Sequence, residues 1–301
     1  MTSLPTGQAG LRAAVTAARD RLRAAGIEDA EIEAELLLRF ALEDGSRVSR
    51  AQLYTRFEEP LTDDAEARYE SYLSRRLAHE PSAYITGRKE FCGLEFLVTP
   101  AVLIPRPETE TLVELAIRLC QYPGLNPGAS GRLRIADIGT GSGAIAVSLA
   151  KALPRAEVYA TDVSREALAV AAENARRHGV ERRIAFRAGD LLTPLHDYVD
   201  LIVANLPYVT TGDWMKLQAE LREHEPRLAL DGGADGLDLI RALLRQAPRY
   251  LNRGGAVLLE IGEGQAEALG RFVEALMPEA SWRVEKDFAG KDRLFILKPA
   301  G

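Results

Sequence analysis

From about residue 110 onward the chain alternates between two hydrophobic periods, and no other feature restricts its fold as much. Apolar runs of strand character lie near 133–137, 156–161, 183–187, 199–204, 255–261, 282–287 and 293–298. Segments with helical spacing lie near 109–121, 143–153, 164–178, 235–247 and 264–277. A strand reaches a parallel neighbour only through a crossover, and helical crossovers cover both faces of the sheet. The pattern predicts an α/β fold with a seven-stranded, mostly parallel sheet. The last two strands follow one another with no helix between them, which predicts an antiparallel pair at one edge.

Residues 1–81 read as a separate helical domain. Leu11, Val15, Ala18 and Leu22 share helical spacing, as do Ile32, Leu36, Leu37 and Phe40, and later Tyr69, Tyr72 and Leu73. Gly26 and Gly45 punctuate these segments, and Pro60-Leu61-Thr62-Asp63 reads as a loop into a capped helix start. Residues 1–85 carry 11 basic and 15 acidic side chains, which suits a solvated bundle or a docking module for a partner. With 301 residues, 47% of them hydrophobic, there is chain enough for a full core in about two domains.

Residues 82–105 read as a β-hairpin linker. Phe91-Cys92-Gly93-Leu94-Glu95-Phe96 places aromatics on both sides of a glycine. Pro105-Arg106-Pro107 is stiff, because each proline restricts itself and the residue before it. Pro107 and Glu108 then open a helix in a third region, 106–301. Tyr122 to Arg132 is turn-rich and reads as a surface loop.

Charge and cysteine usage narrow the function. A formal net charge of −6 argues against direct nucleic-acid binding. Cys92 and Cys120 have no paired or zinc-ligand spacing, so neither a disulfide framework nor a metal site is expected. Met1 to Gly10 lacks the features of a signal peptide, and no apolar run approaches the length of about 18 residues that spans a bilayer. A cytoplasmic protein without membrane contact is expected.

Arg134-Ile135-Ala136-Asp137-Ile138-Gly139-Thr140-Gly141-Ser142-Gly143-Ala144 is a strand, a glycine loop and a helix start. Such a loop lets the main chain turn sharply and approach a ligand closely. Asp162 ends the next strand, where a carboxylate can accept both ribose hydroxyls of an adenosine. These features suit a dinucleotide and S-adenosylmethionine equally. Asp137 favours the second: a carboxylate there repels a pyrophosphate and attracts an ammonium, with bracing of the loop as the lesser alternative. Asp190 and Leu191 follow the third strand, where an adenine would be held. Asp190 could also be a helix N-cap.

The fourth strand ends in Asn205-Leu206-Pro207-Tyr208. The Asn205 side-chain oxygen and the Leu206 carbonyl can both accept from one planar NH2 group. Pro207 keeps Leu206 extended, and the Tyr208 ring can pack against the planar group. Taken alone these four residues read as an Asx-type turn; with the glycine loop, Asp137 and Asp162 in order before them, the amide-binding reading is favoured.

The glycine loop and the Asn-x-Pro-Tyr element resemble those of class I methyltransferases that act on exocyclic or amide NH2 groups. Further segments resemble the release factor glutamine N5-methyltransferase family, PrmC/HemK. They are Tyr84-Ile85-Thr86-Gly87, the 91–96 hairpin, Ile104 to Glu110, Glu225-Pro226, Gly232 to Asp238, Glu260-Ile261-Gly262 and Lys286 to Arg293. The resemblance covers roughly residues 80–297. Leu206 stands where the family usually has a second proline, but its main-chain carbonyl is retained.

The resemblance implies a Rossmann-like class I S-adenosylmethionine-dependent fold with a small N-terminal helical domain and a linking hairpin. It implies methylation of the glutamine amide in the Gly-Gly-Gln motif of class I peptide chain release factors, with S-adenosyl-L-methionine as cofactor. Asn205, Leu206, Pro207 and Tyr208 would be catalytic and substrate-binding. Asp137, Gly139, Thr140, Gly141, Ser142, Gly143, Asp162, Asp190, Leu191 and Asn205 would hold the cofactor. Phe91, Arg106 and Glu108 would lie near the glutamine, and the helical domain would dock the release factor. Phe91 as a core aromatic and Arg106 as an ion-pair partner are the ordinary alternatives. His79, His178, His196 and His224 stand in no motif, so no dedicated general base is expected. A ribosomal-protein glutamine methyltransferase, an adenine N6-methyltransferase and a non-catalytic adaptor are the competing readings.

Overall fold

A computed structural model describes residues 10–121, 125, 131–287 and 290–299 of the chain. It divides into two compact units, Met1–Gly87 and Arg88–Gly301. Most of the loop expected over 122–132, the first nine residues, and Phe288 and Ala289 lie outside the described residues.

The first unit is helical: α1 (Leu11–Ala24), α2 (Ala30–Ala41), α3 (Arg50–Thr55), α4 (Asp63–Leu77) and α5 (Ser82–Thr86). α1 buries Leu11, Ala14, Val15, Ala18 and Leu22, the stripe expected from their spacing. α2 departs from expectation. Its buried stripe is Ala30, Ala34, Leu37, Leu38 and Ala41, whereas Ile32 is 55% exposed. The small alanines let neighbouring backbones approach, and Tyr69 of α4 donates its hydroxyl to Ala34 O at 2.9 Å. With Ala34 facing α4, Ile32 lies on the outer side of the helix. Thr62 caps α4 by accepting from Ala65 N, and acidic residues in its first turn with Arg75 and Arg76 in its last match the helix dipole. Residues 82–86, read with the hairpin, are helical, and α5 stops at Gly87 with φ +69°.

The second unit opens with the expected hairpin, β1 (Arg88–Phe91) and β2 (Leu94–Leu97). Cys92 and Gly93 both have positive φ, 50° and 68°, as a two-residue hairpin turn requires. Next come α6 (Pro107–Gln121), β3 (Arg134–Ile138), α7 (Ala144–Ala152), β4 (Glu157–Asp162), α8 (Arg165–Arg177), β5 (Ile184–Ala188) and β6 (Val199–Ala204). The short α9 (Thr211–Trp214) and α10 (Ala219–His224) lead to α11 (Asp238–Gln246), β7 (Leu251–Glu260), α12 (Ala266–Leu276), β8 (Ser281–Lys286) and β9 (Asp292–Lys298).

The seven-stranded sheet has the order β5-β4-β3-β6-β7-β9-β8. The first five are parallel, and β9 runs antiparallel to both β7 and β8. The central strands read as continuous apolar runs because both faces are covered. Leu201, Val203 and Leu258 join one core with α6, α7 and the hairpin aromatics, while Ile202, Ala204 and Leu259 join the other with α11 and α12. The chain order reverses between β3 and β6, and a crevice opens there at the strand ends. Among the described residues no helix is long and apolar enough to cross a membrane.

Candidate active site

A cavity of about 360 Å³ lies at the carboxyl ends of β3, β4 and β6. It is lined by Gly139, Thr140, Gly141, Ser142, Asp162, Asp190, Leu191, Asn205, Leu206 and Pro207, with Phe91 and Arg106 on its other wall. Asp137, Gly143, Tyr208 and Glu108 stand off that wall.

The glycine loop hangs on the end of β4. Gly139 N and Thr140 N both donate to Thr161 O at 2.9 Å, and Gly141 N donates to Asp162 Oδ2 at 2.9 Å. Ser164 N donates to the other Asp162 oxygen at 2.9 Å. Two main-chain donors thus fix a half-buried carboxylate whose remaining lone pairs can still accept hydroxyls. A Cβ on Gly139 would sit 3.0 Å from Leu206 Cδ2, so the loop and the tetrapeptide interlock there. Gly143 serves packing instead, because a Cβ there would lie 2.9 Å from that of Ala171, and it sets the approach of α7 to α8. Asn174 of α8 joins the same corner, donating to Ser142 O at 2.8 Å and to Leu97 O at 2.9 Å.

Asp137 is fully buried beneath the loop. Its Oδ2 accepts from Thr140 Oγ1 at 2.6 Å and Ala146 N at 3.1 Å, while Oδ1 has no partner among the described residues. Burial pushes its pKa up to about 7, against the pull of those two donors. Asp137 therefore braces the loop from beneath and is not among the residues that line the cavity. Asp190 is exposed and precedes a turn, not a helix, so the N-cap alternative falls. Its carbonyl accepts from Thr193 N at 2.9 Å. Leu191, buried and left-handed at φ 47°, is held by Thr161 Oγ1 donating to its carbonyl at 2.8 Å.

At the end of β6, Asn205 Nδ2 donates to Thr109 Oγ1 at 2.9 Å. Thr109 Oγ1 donates to Glu260 Oε2 at 2.7 Å, and the Tyr208 hydroxyl donates to Glu260 Oε1 at 3.1 Å. The Tyr208 ring is thus anchored beside the cavity. Burial, then the Glu260 charge, holds its phenol above the ordinary range. The tetrapeptide backbone is clasped by 232–236: a Cβ on Gly232 would lie 2.5 Å from Pro207 O. Gln265 Nε2 also donates to Tyr208 O at 2.9 Å.

On the facing wall, Phe91 is a core aromatic packed edge-on against Phe96 at 6.0 Å. Arg106 pairs with the buried Glu225, which also accepts from Ile104 N at 3.1 Å. This pins the proline segment. Glu108 is exposed on the first turn of α6. Thr109, Glu260, Gln265, Asn174 and Gly232 received no role from the sequence. Thr109, Glu260 and Gly232 lie in segments that carry the family resemblance, and no local signal marks the other two. Among the described residues no group of three or more His, Cys, Asp or Glu side chains could hold a metal ion.

Residues 13–87 match the PrmC N-terminal domain and residues 127–233 match the methyltransferase small domain. A release factor glutamine methyltransferase of Moorella thermoacetica is 46% identical over 95% of this chain and 97% of its own. That of Geobacter sulfurreducens is 46% identical over 84% of this chain and 85% of its own. A methyltransferase from Pyrococcus furiosus, 20% identical, shares the fold with a TM-score of 0.50, over 77% of this chain and 100% of that one. The doubly wound sheet, its edge strand pair and the glycine loop over β4 define a class I methyltransferase. Within that class, the chain belongs to the release factor glutamine methyltransferase family. The donor of the class, S-adenosylmethionine, fits the residues present. Gly141 leaves the main chain open to a ligand, Asp162 is preset for a diol, and Leu191 gives an apolar wall for a base.

Proposed function

We propose that this chain transfers a methyl group from S-adenosylmethionine to the side-chain amide nitrogen of the glutamine in the Gly-Gly-Gln motif of class I peptide chain release factors. The carrying observation is the commitment of Asn205 Nδ2 to Thr109, which leaves Oδ1 as the end that a residue lining the cavity offers to a ligand. S-adenosylmethionine, when bound, supplies a methyl group already activated on a sulfonium. Asn205 Oδ1 and the Leu206 carbonyl accept the two amide hydrogens and hold the nitrogen lone pair toward that methyl. Alignment of this kind is worth roughly 7–11 kcal/mol when ideal. The same two acceptors favour the positive charge that builds on nitrogen as the N–C bond forms and the C–S pair departs with sulfur. Among the described residues no histidine lines the cavity, and the proton leaves the methylated nitrogen for water.

Asp162 holds the ribose, Leu191 and Asp190 flank the adenine, and the Gly139–Ser142 loop covers the amino-acid end. Phe91 and Arg106 shape the glutamine side. The helical domain, taken as 1–81 with 82–105 leading into the catalytic region 106–301, docks the release factor. Its match to the PrmC N-terminal domain supports that role. The acidic balance favours a protein partner over nucleic acid, and action on release factors implies the cytoplasm.

The test is incubation with labelled S-adenosylmethionine and purified release factor, followed by mass mapping. Label on the Gly-Gly-Gln glutamine is the expected result. Label elsewhere, or on a ribosomal protein or DNA in its place, would reject the assignment.

A further inference from the structure

Thr109 of α6 and Glu260 at the end of β7 take no direct part in the methyl transfer, yet both are buried, 4% and 1% exposed, Thr109 against Asn205 and Glu260 against Thr109 and Tyr208. Glu260 receives two hydroxyl donors, Thr109 on Oε2 and Tyr208 on Oε1. In this arrangement both carboxyl oxygens are engaged as acceptors. The single Thr109 proton is therefore spent on Glu260, and toward Asn205 its oxygen can only accept. Asn205 must present its NH2 to Thr109, as the 2.9 Å contact shows. Because the amide is planar, its oxygen is then turned away from Thr109.

We propose that Glu260 and Thr109 form a polarity relay that fixes which end of Asn205 faces the substrate amide, making both of them positioning residues for methyl transfer. The two flips of an asparagine are nearly isosteric, so shape alone selects neither. In the wrong flip the Asn205 NH2 would meet the glutamine NH2, donor against donor. Burial leaves the Glu260 carboxyl raised, against the smaller pull of the Thr109 and Tyr208 donors and then the Arg293 charge, and the relay stands on the contacts themselves. The relay deepens the reading that Asn205 Oδ1 accepts from the substrate, and rests on it.

The test measures kcat and KM for release factor methylation, and the S-adenosylmethionine Kd, in Thr109→Val, Thr109→Ser, Glu260→Gln and Asn205→Ala. Valine keeps the shape of threonine without its hydroxyl; glutamine can accept or donate and so leaves the polarity undefined. Thr109→Val and Glu260→Gln should each lower kcat by about 10²-fold, the cost of misplacing a reacting group. Cofactor Kd should stay within about twofold, and Thr109→Ser should restore most of kcat. The Thr109→Val/Glu260→Gln double variant should be no worse than Thr109→Val, since both break one relay. Parental kcat in Thr109→Val, a serine variant as slow as the valine one, or multiplying losses in the double variant would overturn the relay. If Glu260→Gln fails to fold, the valine and serine pair decides alone. Asn205→Ala separates the two levels: an active alanine variant defeats the reading beneath, whereas an inactive one beside a fully active Thr109→Val defeats only the relay.

Discussion

The two walls of the cavity are built by opposite means. The wall proposed for the cofactor is mostly main chain: Gly139 N and Thr140 N bond to Thr161 O, and Gly141 N to the Asp162 carboxylate, one strand away. The wall proposed for the amide adds to the Leu206 carbonyl a line of side chains from Asn205 through Thr109 to Glu260 that crosses sequence separations of 96 and 151 residues. A main-chain wall tolerates many side chains as long as its glycines remain. A side-chain wall depends on the identity of each member. Binding and turnover should therefore fail separately under mutation.

The sharpest break expected is Asn205→Ala. Removing one preorganised acceptor costs about 10²–10³ in kcat, and more where two acceptors must act together. Cofactor affinity, set by the other wall, should change by no more than a few fold in calorimetry. Loss of both together would show that the walls are one unit.

The same contrast explains what was legible in the sequence. The strand and helix order of 109–298 follows from local periodicity, and the edge antiparallel pair from a missing crossover. The glycine loop and Asp162 are likewise local, since one is a strand-to-helix turn and the other a carboxylate at the end of the very next strand. The relay is not local. Nothing near Thr109 indicates that α6 will place it against the end of β6, because that contact exists only once the sheet is wound. The packing role of Gly143 was hidden for a related reason: its close neighbour, Ala171, lies on the next helix. In α2, spacing alone could not choose between the Ile32 stripe and the alanine stripe. The short helices α9 and α10, under two turns each, carry no period to read.

Gly232→Ala tests how the amide wall is supported. Its Cβ would lie 2.5 Å from Pro207 O and 2.8 Å from Gly236 O, both main-chain atoms with little freedom to give. Overpacking of this kind costs about 1–3 kcal/mol, so the melting temperature should fall by several degrees, with kcat reduced and cofactor Kd nearly unchanged. Asp162→Asn probes the opposite wall. One carbonyl oxygen replaces two carboxylate oxygens that already hold Gly141 N and Ser164 N. Hydrogen bonds to charged groups are worth about 1.5–3 kcal/mol, so cofactor binding should weaken by roughly tenfold or more while kcat at saturation holds.

Asp137 offers the smallest effect and asks whether the main-chain wall also works by charge. Burial carries its carboxyl up to about 7, while in the unfolded chain it titrates near the ordinary value of about 4. The folded state thus keeps a proton that the unfolded state releases between those values. The contribution of Asp137 to stability is fullest below pH about 4 and declines as the pH rises through about 7. A cation held on the cavity side of the loop, such as the ammonium of S-adenosylmethionine, favours the ionised form. Binding near pH 6 should then expel a fraction of one proton, and affinity should rise as the pH climbs toward 7. Calorimetry at pH 6 in two buffers of different ionisation heat reads that proton directly. Asp137→Asn, which has nothing to release, should abolish the buffer dependence. Equal heats in both buffers for the parent chain would mean that Asp137 only braces the loop, leaving the cofactor wall a matter of main-chain geometry and Asp162.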